Sequence, residues 1–560
     1  MKKAMKKLMA ALLAVAMVCA MAIPAFADNA WETEEDLNEK HEYDAFQIFK
    51  GNVNDANEIS NVEWGKNIPD HTGFLAQLKE DSTLRIPFQN ADDLQDVLAV
   101  ISTWHDSDDN SIAFARFVCK YIYTDANANK EPVIQGGHTG AFELPMAGYY
   151  LIVDTSPFSE GDSYHAYNSF LLKVNQAHYH VQIKHKVVKP TVKKEVFDND
   201  DKSSYGDNNS WGDNDGWGSS ADHAINEPFQ FRLIAKLPAS KDNGRAYDYY
   251  DKYTVCFNDT LSEGITFDRL DKVEITSGAG DTPKVINAAN YTLTPNDPQS
   301  FFKLSIDNVK TCAVAAGFNL NDGATITVTY TAHLNDKAAV NSSDNKNSVR
   351  LQYSNNPRPG EHWGYTPNYT PESEVYVYTY QLNNTKRAEN ENGALLKGAG
   401  FRLYSADTCN ATEEIKLKKN TDGTYSRYFG TEDGEEMFSD DKGQFNVKGL
   451  DAGTYYLKET TTPTGYNTCG VTTVTIKANH NGNRLELDSS NLSTTIINNS
   501  GTVLPSTGGI GTTIFYVVGG GLMVAAAILL VPKSAWRTTN FSVFPAQSGA
   551  VRPPALILKL

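Results

Sequence analysis

Glu459 is the residue whose position most demands chemistry. It ends the run Gly453-Thr454-Tyr455-Tyr456-Leu457-Lys458-Glu459, which reads as a strand. Side chains alternate along a strand, so if Tyr455 and Leu457 face a core, Glu459 faces it too. A carboxylate on a core face needs a partner or a raised pKa. Other reactive groups are more easily accounted for. His178 and His180 share a strand face and His185 follows, but no third ligand is spaced with them, so no metal site is expected. Asp213-Asn214-Asp215-Gly216 resembles the start of a calcium loop, yet the twelfth position holds Ala224 where a bidentate Glu is needed. The enclosing stretch, Asp198 to Asp222, is rich in Asp, Asn, Gly and Ser and reads as a mobile surface loop. No nucleophile–base–acid set or paired-carboxylate cleft stands out, which ranks wall-hydrolase chemistry last. No cofactor is implied.

The elements that must position these groups are mainly strands. Tyr (28) and Phe (25) far outnumber Met (8), and short alternating runs fill the chain. Residues 28–186 read as α+β. Strand-like Tyr43 to Phe49 is followed by two helical stretches. Leu94, Val97, Leu98, Ile101 and Trp104 share a face of one, and Ile112, Ala115, Val118, Tyr121 and Ile122 a face of the other. Strands return at Gly148 to Asp154. Residues 187–378 alternate at Phe229, Phe231, Leu233 and Ala235 and again at Ala324, Ile326, Val328 and Tyr330, predicting a β-sandwich. Residues 379–500 hold the strand-like Gly398 to Tyr404 and the Glu459 strand, then Pro463-Thr464-Gly465-Tyr466. The net charge of −18 argues against a nucleic-acid partner.

Both ends carry targeting signals. Lys2, Lys3, Lys6 and Lys7 precede apolar Leu8 to Ile23 and the small-residue site Ala25-Phe26-Ala27, so residues 1–27 read as a secretory signal. Near the other end Leu504-Pro505-Ser506-Thr507-Gly508 precedes the uncharged stretch Ile510 to Val531, long enough to cross a bilayer. Export permits disulfides. Six Cys are present and Cys19 leaves with the signal. Cys409 and Cys469 fall in one region and are expected to pair. Cys256 and Cys312 fall in another and form a second candidate pair, while Cys119 on a helix reads as a small buried apolar residue.

The Leu504–Gly508 run matches the sorting signal of Gram-positive surface proteins. The whole chain resembles the backbone pilins of sortase-assembled pili. Residues 187–378 are similar to the A-type domain of collagen adhesins and 379–500 to their B-type domain. The resemblance implies tandem Ig-like β-sandwiches after the α+β N-terminal domain, then a sorting signal over 501–532. The tail, 533–560, departs from the family pattern, which ends in a short basic segment soon after the span. In that family a sortase cleaves between Thr and Gly, here Thr507 and Gly508, and passes the Thr carbonyl to an amine.

Such domains also form internal amide bonds between Lys and Asn side chains, promoted by a buried acid. Residue by residue, the resemblance places the 379–500 bond at Lys386 and Asn498 with Glu459 as acid. It places the 187–378 bond at Lys194, or Lys193 one residue out of phase, and Asn347, with Asp259 as acid. The acceptor amine for polymerisation corresponds to Lys186, with Lys184 second, in Ile183 to Pro190, although the full pilin motif is missing. The implied partners are a sortase, neighbouring subunits, peptidoglycan and a host matrix or glycan ligand. The implied location is the Gram-positive cell surface, in the cell wall. A monomeric wall-anchored adhesin would carry the same domains and sorting signal, and the acceptor Lys separates the two readings.

Overall fold

The computed structural model describes residues 42–501 except 55–58, 106–107, 136–140, 156–168, 176–178, 183–188, 200–215, 242–244, 296–300 and 358–368, together with 517–526. The secretory signal, the sorting motif Leu504 to Gly508, Lys184, Lys186, His178 and His185 lie outside these residues.

The first body is built on a four-stranded antiparallel sheet, ordered Ile59–Trp64, Tyr43–Val53, Gly148–Asp154, Ser169–Val174. Its central strands are buried on both faces, so alternate residues enter different cores. Phe46, Ile48, Leu151 and Val153 pack with Val97, Ile101, Val118 and Tyr121 from the helices. Tyr43, Ala45, Tyr150 and Ile152 pack on the other side with Phe142 and Leu144. The expected helices are Leu94–Ile101 and Asp109–Thr124. Cys119 is buried in the helix-side core. A further helix, His71–Glu80, was not legible in the sequence because it buries only the pair Phe74 and Leu78. Asp70 caps it by accepting from the Gly73 N–H at 2.9 Å.

The second body is a sandwich of two six-stranded sheets. One runs Lys284–Val285, Ile265–Ser277, Ala324–Leu334, Pro228–Leu237, Thr191–Phe197, Trp217–Gly218. The other runs Tyr291–Pro295, Phe301–Ile306, Val255–Leu261, Lys346–Tyr353, Ser373–Tyr378, Ser220–Asp222. The Pro228–Leu237 strand alternates strictly between buried and half-buried residues, as period-two patterning requires. The ends of the Asp198–Asp222 stretch are not surface loop. Trp217–Gly218 and Ser220–Asp222 are edge strands, and Asp198 and Asp222 are buried.

The third body packs a five-stranded sheet, Leu417–Lys419, Tyr425–Arg427, Val447–Leu450, Tyr380–Ala388, Ser493–Asn498, against a second sheet through Glu414–Ile415, Gly400–Tyr404, Gly453–Thr461 and Thr472–Ile476. Tyr380, Leu382, Phe401, Leu403, Tyr455 and Leu457 fill the core between them. The described part of the apolar Ile510–Val531 stretch is helical over 517–526. Among the described residues, no helix is long and apolar enough to cross a membrane.

Candidate functional site

In the third body, Glu459 does face the core. Tyr455, Leu457 and Glu459 are the buried residues of their strand, as alternation requires. Register fixes the neighbours. The Tyr380–Ala388 strand lies parallel to Ser493–Asn498, with Lys386 opposite Ile496 and Ala388 opposite Asn498. Lys386 and Asn498 are therefore diagonal neighbours on one face, while Glu459 reaches them from the opposing sheet. The strand's path depends on Gly443, which takes a left-handed φ of 67°. A Cβ there would stand 2.6 Å from the Lys386 carbonyl oxygen.

The three side chains form a closed chain of contacts. Lys386 Nζ donates to Asn498 Oδ1 at 2.6 Å. Asn498 Nδ2 donates to Glu459 Oε1 at 2.7 Å. Lys386 Nζ lies 3.8 Å from the same Glu459 oxygen, and both side chains are fully buried. The amine also lies over the Phe401 ring, 5.5 Å from its centre. Burial holds the Lys386 pKa below the ordinary lysine value, against the opposing pull of Cys469 and Glu459. Asn499 is exposed and takes no part.

In the second body, Lys194 is the buried lysine. Lys193 is partly exposed and pairs with Glu195 at 2.9 Å. Lys194 ion-pairs with Asp259, both side chains being fully buried. Asp259 and Asn347 belong to adjacent strands of one sheet, Leu261 standing opposite Asn347 and Asp259 opposite Val349. Lys194 and Tyr330 come from the other sheet. Tyr330 joins the set. Its hydroxyl accepts from Lys194 Nζ at 3.0 Å and from Asn347 Nδ2 at 2.6 Å, and donates to Asp259 Oδ1 at 3.2 Å. Amine and carboxamide thus meet through a hydroxyl, leaving Asn347 Oδ1 buried without a hydrogen-bond partner. Burial pulls Lys194 down to about 8, Asp259 opposing it, and pushes Asp259 up, Lys194 and Tyr330 opposing that shift. Both shifts favour a neutral amine beside a neutral acid. Asn347 lies within Lys346–Tyr353, and Ser373–Tyr378 follows as one more strand of the sheet.

The disulfide expectations are overturned: Cys256, Cys312, Cys409 and Cys469 are all free thiols. Cys409 lies beyond the Tyr404 end of the Gly400–Tyr404 strand and is held near Ala406. Cys469 lies at the other end, where its backbone N–H donates to Glu459 Oε2 at 2.8 Å; Glu459 stands opposite Phe401. Three residues of strand separate these ends by about 10 Å, beyond the reach of a disulfide. Cys256 is strand core and Cys312 lies on a helix, Val309–Ala316. Burial instead pushes the Cys469 thiol up to about 11, with Lys386 opposing the shift and Glu459 adding to it. Neither Tyr330 nor Cys469 could be picked as a site residue from the sequence. Tyr330 is one apolar beat of an alternating strand, and Cys469 reads as a staple.

A β-sandwich that buries a lysine, an acid and a carboxamide in one hydrogen-bonded set occurs twice here. Residues 382–492, which include Lys386 and Glu459, match the SpaA family, a domain of prealbumin-like fold. No curated protein sequence matches the chain significantly. Similar solved structures include the T6 backbone pilin of Streptococcus pyogenes, at 16% identity and a TM-score of 0.43, covering 78% of this chain and 77% of that one. The full-length major pilin RrgB of Streptococcus pneumoniae is similar at 15% identity and a TM-score of 0.37, over 85% of this chain and 96% of that one. A C-terminal fragment of the major pilin GBS80 of Streptococcus agalactiae is similar at 20% identity and a TM-score of 0.39, over 56% of this chain and all of the fragment.

Proposed function

We propose that this chain is the backbone subunit of a covalently polymerised surface pilus of a Gram-positive bacterium. One observation carries the reading: two sandwiches each bury a lysine, an acid and an asparagine in one hydrogen-bonded set, directly in the third body and through the Tyr330 hydroxyl in the second. The chemistry is a single turnover in each. The neutral lysine Nζ attacks the asparagine Cγ, the buried acid relays the proton, the carboxamide C–N bond breaks and ammonia leaves. The products are amide bonds between Lys386 and Asn498 and between Lys194 and Asn347. Glu459 and Asp259 are the promoting acids. Neither reaction recurs, so the protein is a structural substrate and not a turnover enzyme.

A cross-link lets tension bypass strand unzipping, which suits a fibre under load. On this reading 28–186, 187–378 and 379–500 are the three domains of the subunit. A sortase forms a thioester at Thr507, releasing Gly508, and hands it to Lys186 of the next subunit or to peptidoglycan. Immunoblots of wall extracts from the native cell test the assembly. A ladder of detergent-resistant multimers is expected, lost in Lys186→Ala with monomer folding intact and lost together with wall attachment in Thr507→Ala. If Lys186→Ala still polymerises, Lys184 becomes the acceptor under test. A native protein that runs only as a wall-bound monomer overturns the pilin reading in favour of an anchored adhesin.

A further inference from the structure

The second and third bodies meet over an unusual set of buried groups. Asp198, which closes the Thr191–Phe197 strand, and Asp222 come from the second body, and His480 comes from the third. All three are buried, and one ligand atom from each falls within 4.8 Å of the others. His480 Nε2 is 3.4 Å from Asp222 Oδ1 and 3.6 Å from Asp198 Oδ2. An imidazolium donating to a carboxylate should stand at about 2.7–2.9 Å. The observed separations are too long for that, yet they match the edge of a tetrahedron. Ligands about 2.1 Å from a central ion lie roughly 3.4 Å from one another.

The imidazole is also held as a ligand would be. Its Nδ1 lies 2.9 Å from Ser220 Oγ, which accepts from the Gly482 N–H at 3.1 Å. The ring stacks on Tyr378, with centres 5.4 Å apart. Such an outer contact fixes ring orientation and aims the other nitrogen inward.

An independent observation comes from the adjoining residue. His223 stacks on Phe229, and its Nε2 lies 2.8 Å from the Phe197 carbonyl, so that nitrogen carries a proton. Its Nδ1 is buried with no hydrogen-bond partner. With Glu227 and Asp451 it makes a second group whose ligand atoms gather within 4.8 Å. Four carboxylates therefore crowd one buried junction. Arg427 pairs with one of them, Glu227, at 3.6 Å. Buried negative charge at this density calls for a counter-cation.

We propose that the junction binds one divalent metal ion of the zinc class between Asp198, Asp222 and His480, with water completing a tetrahedral shell. Imidazole with two carboxylates suits that class better than calcium, which takes six to eight oxygens. The ion would tie the strand that carries Lys194 to the third body, along the line of tension.

The test uses the full mature chain, stripped by chelation and titrated with Co²⁺ as a visible probe and then with Zn²⁺. One cobalt per chain is expected, with the intense visible absorption of a tetrahedral site, bleached by added Zn²⁺. His480→Gln and Asp198→Asn should each abolish the spectrum with circular dichroism unchanged. Ser220→Ala should weaken affinity by about 10–100-fold. Absence of cobalt uptake overturns the proposal. So does uptake that persists in both His480→Gln and Asp198→Asn. An imidazole nuclear magnetic resonance signal showing His480 doubly protonated at neutral pH and unmoved by zinc would also overturn it, leaving an ion triad in place of a metal.

Discussion

Replacing Glu459 with Gln tests the proposed chemistry at its most exposed point. The carboxylate accepts from two sides, from Asn498 Nδ2 on Oε1 and from the Cys469 N–H on Oε2. A glutamine amide can accept on one side only, and its NH₂ must face a donor on the other. The variant also loses the acidic proton that the reaction relays. Lys386 and Asn498 should therefore stay unjoined, and the intact mass should rise by about 16 Da: about 17 Da for the ammonia no longer expelled, less about 1 Da for the exchange of Glu for Gln. The lost cross-link spans 112 residues. Loop-closure entropy for that length is worth about 5 kcal/mol if the bond restrains the unfolded chain as a disulfide does. The unsatisfied donor adds about 1–3 kcal/mol. Together these lower the Tm of the third body by roughly 15–25 °C. Mass spectrometry and calorimetry read both numbers, and Asn498→Ala, which removes the electrophile, gives the reference for an unlinked domain. A Glu459→Gln chain that still lacks the ammonia mass at this site would refute the reasoning. So would a wild-type chain whose mass equals that of its unmodified sequence.

Other outcomes follow from the same geometry. Tyr330→Phe should leave the 187–378 sandwich folded but slow or abolish its bond, because the hydroxyl links Lys194, Asp259 and Asn347; tryptic mapping for the joined Lys194 and Asn347 peptides decides it. Asn347→Ala keeps the Lys194 amine free, with its pKa lowered to about 8 in the fold. The unfolded chain then binds the extra proton between about pH 8 and 10.5, so stability should rise with pH across that window. Urea midpoints should show this slope, and Lys194→Met on the same background should flatten it. Cys469, its thiol pushed up to about 11, should alkylate roughly 200-fold more slowly at pH 8 than an ordinary thiol; a rate like that of a free peptide would move it out of the site. Non-reducing peptide maps should find Cys409 and Cys469 unbridged.

The sequence by itself determined what depends on local periodicity. Alternation at Phe229 to Ala235 and Ala324 to Tyr330 specified strands with one core face, and those residues are buried. The same period put Glu459 on the inner face beside Tyr455 and Leu457. Apolar residues three and four apart marked two helices, while His71–Glu80, with only two buried positions, escaped the pattern. Tertiary structure decided what depends on which faces meet. Cys469 could be read only as a disulfide partner until register placed it at Glu459 and Cys409 at the far end of the neighbouring strand. Tyr330 became a site residue because its sheet packs on the one holding Asp259 and Asn347, residues distant in the chain but adjacent across the core. The acidic stretch from Asp198 to Asp222 is polar enough to read as solvent loop, yet its two ends are buried against His480, more than 250 residues away. A one-dimensional pattern reports the face a side chain occupies. It takes the packed sheets to determine what stands opposite.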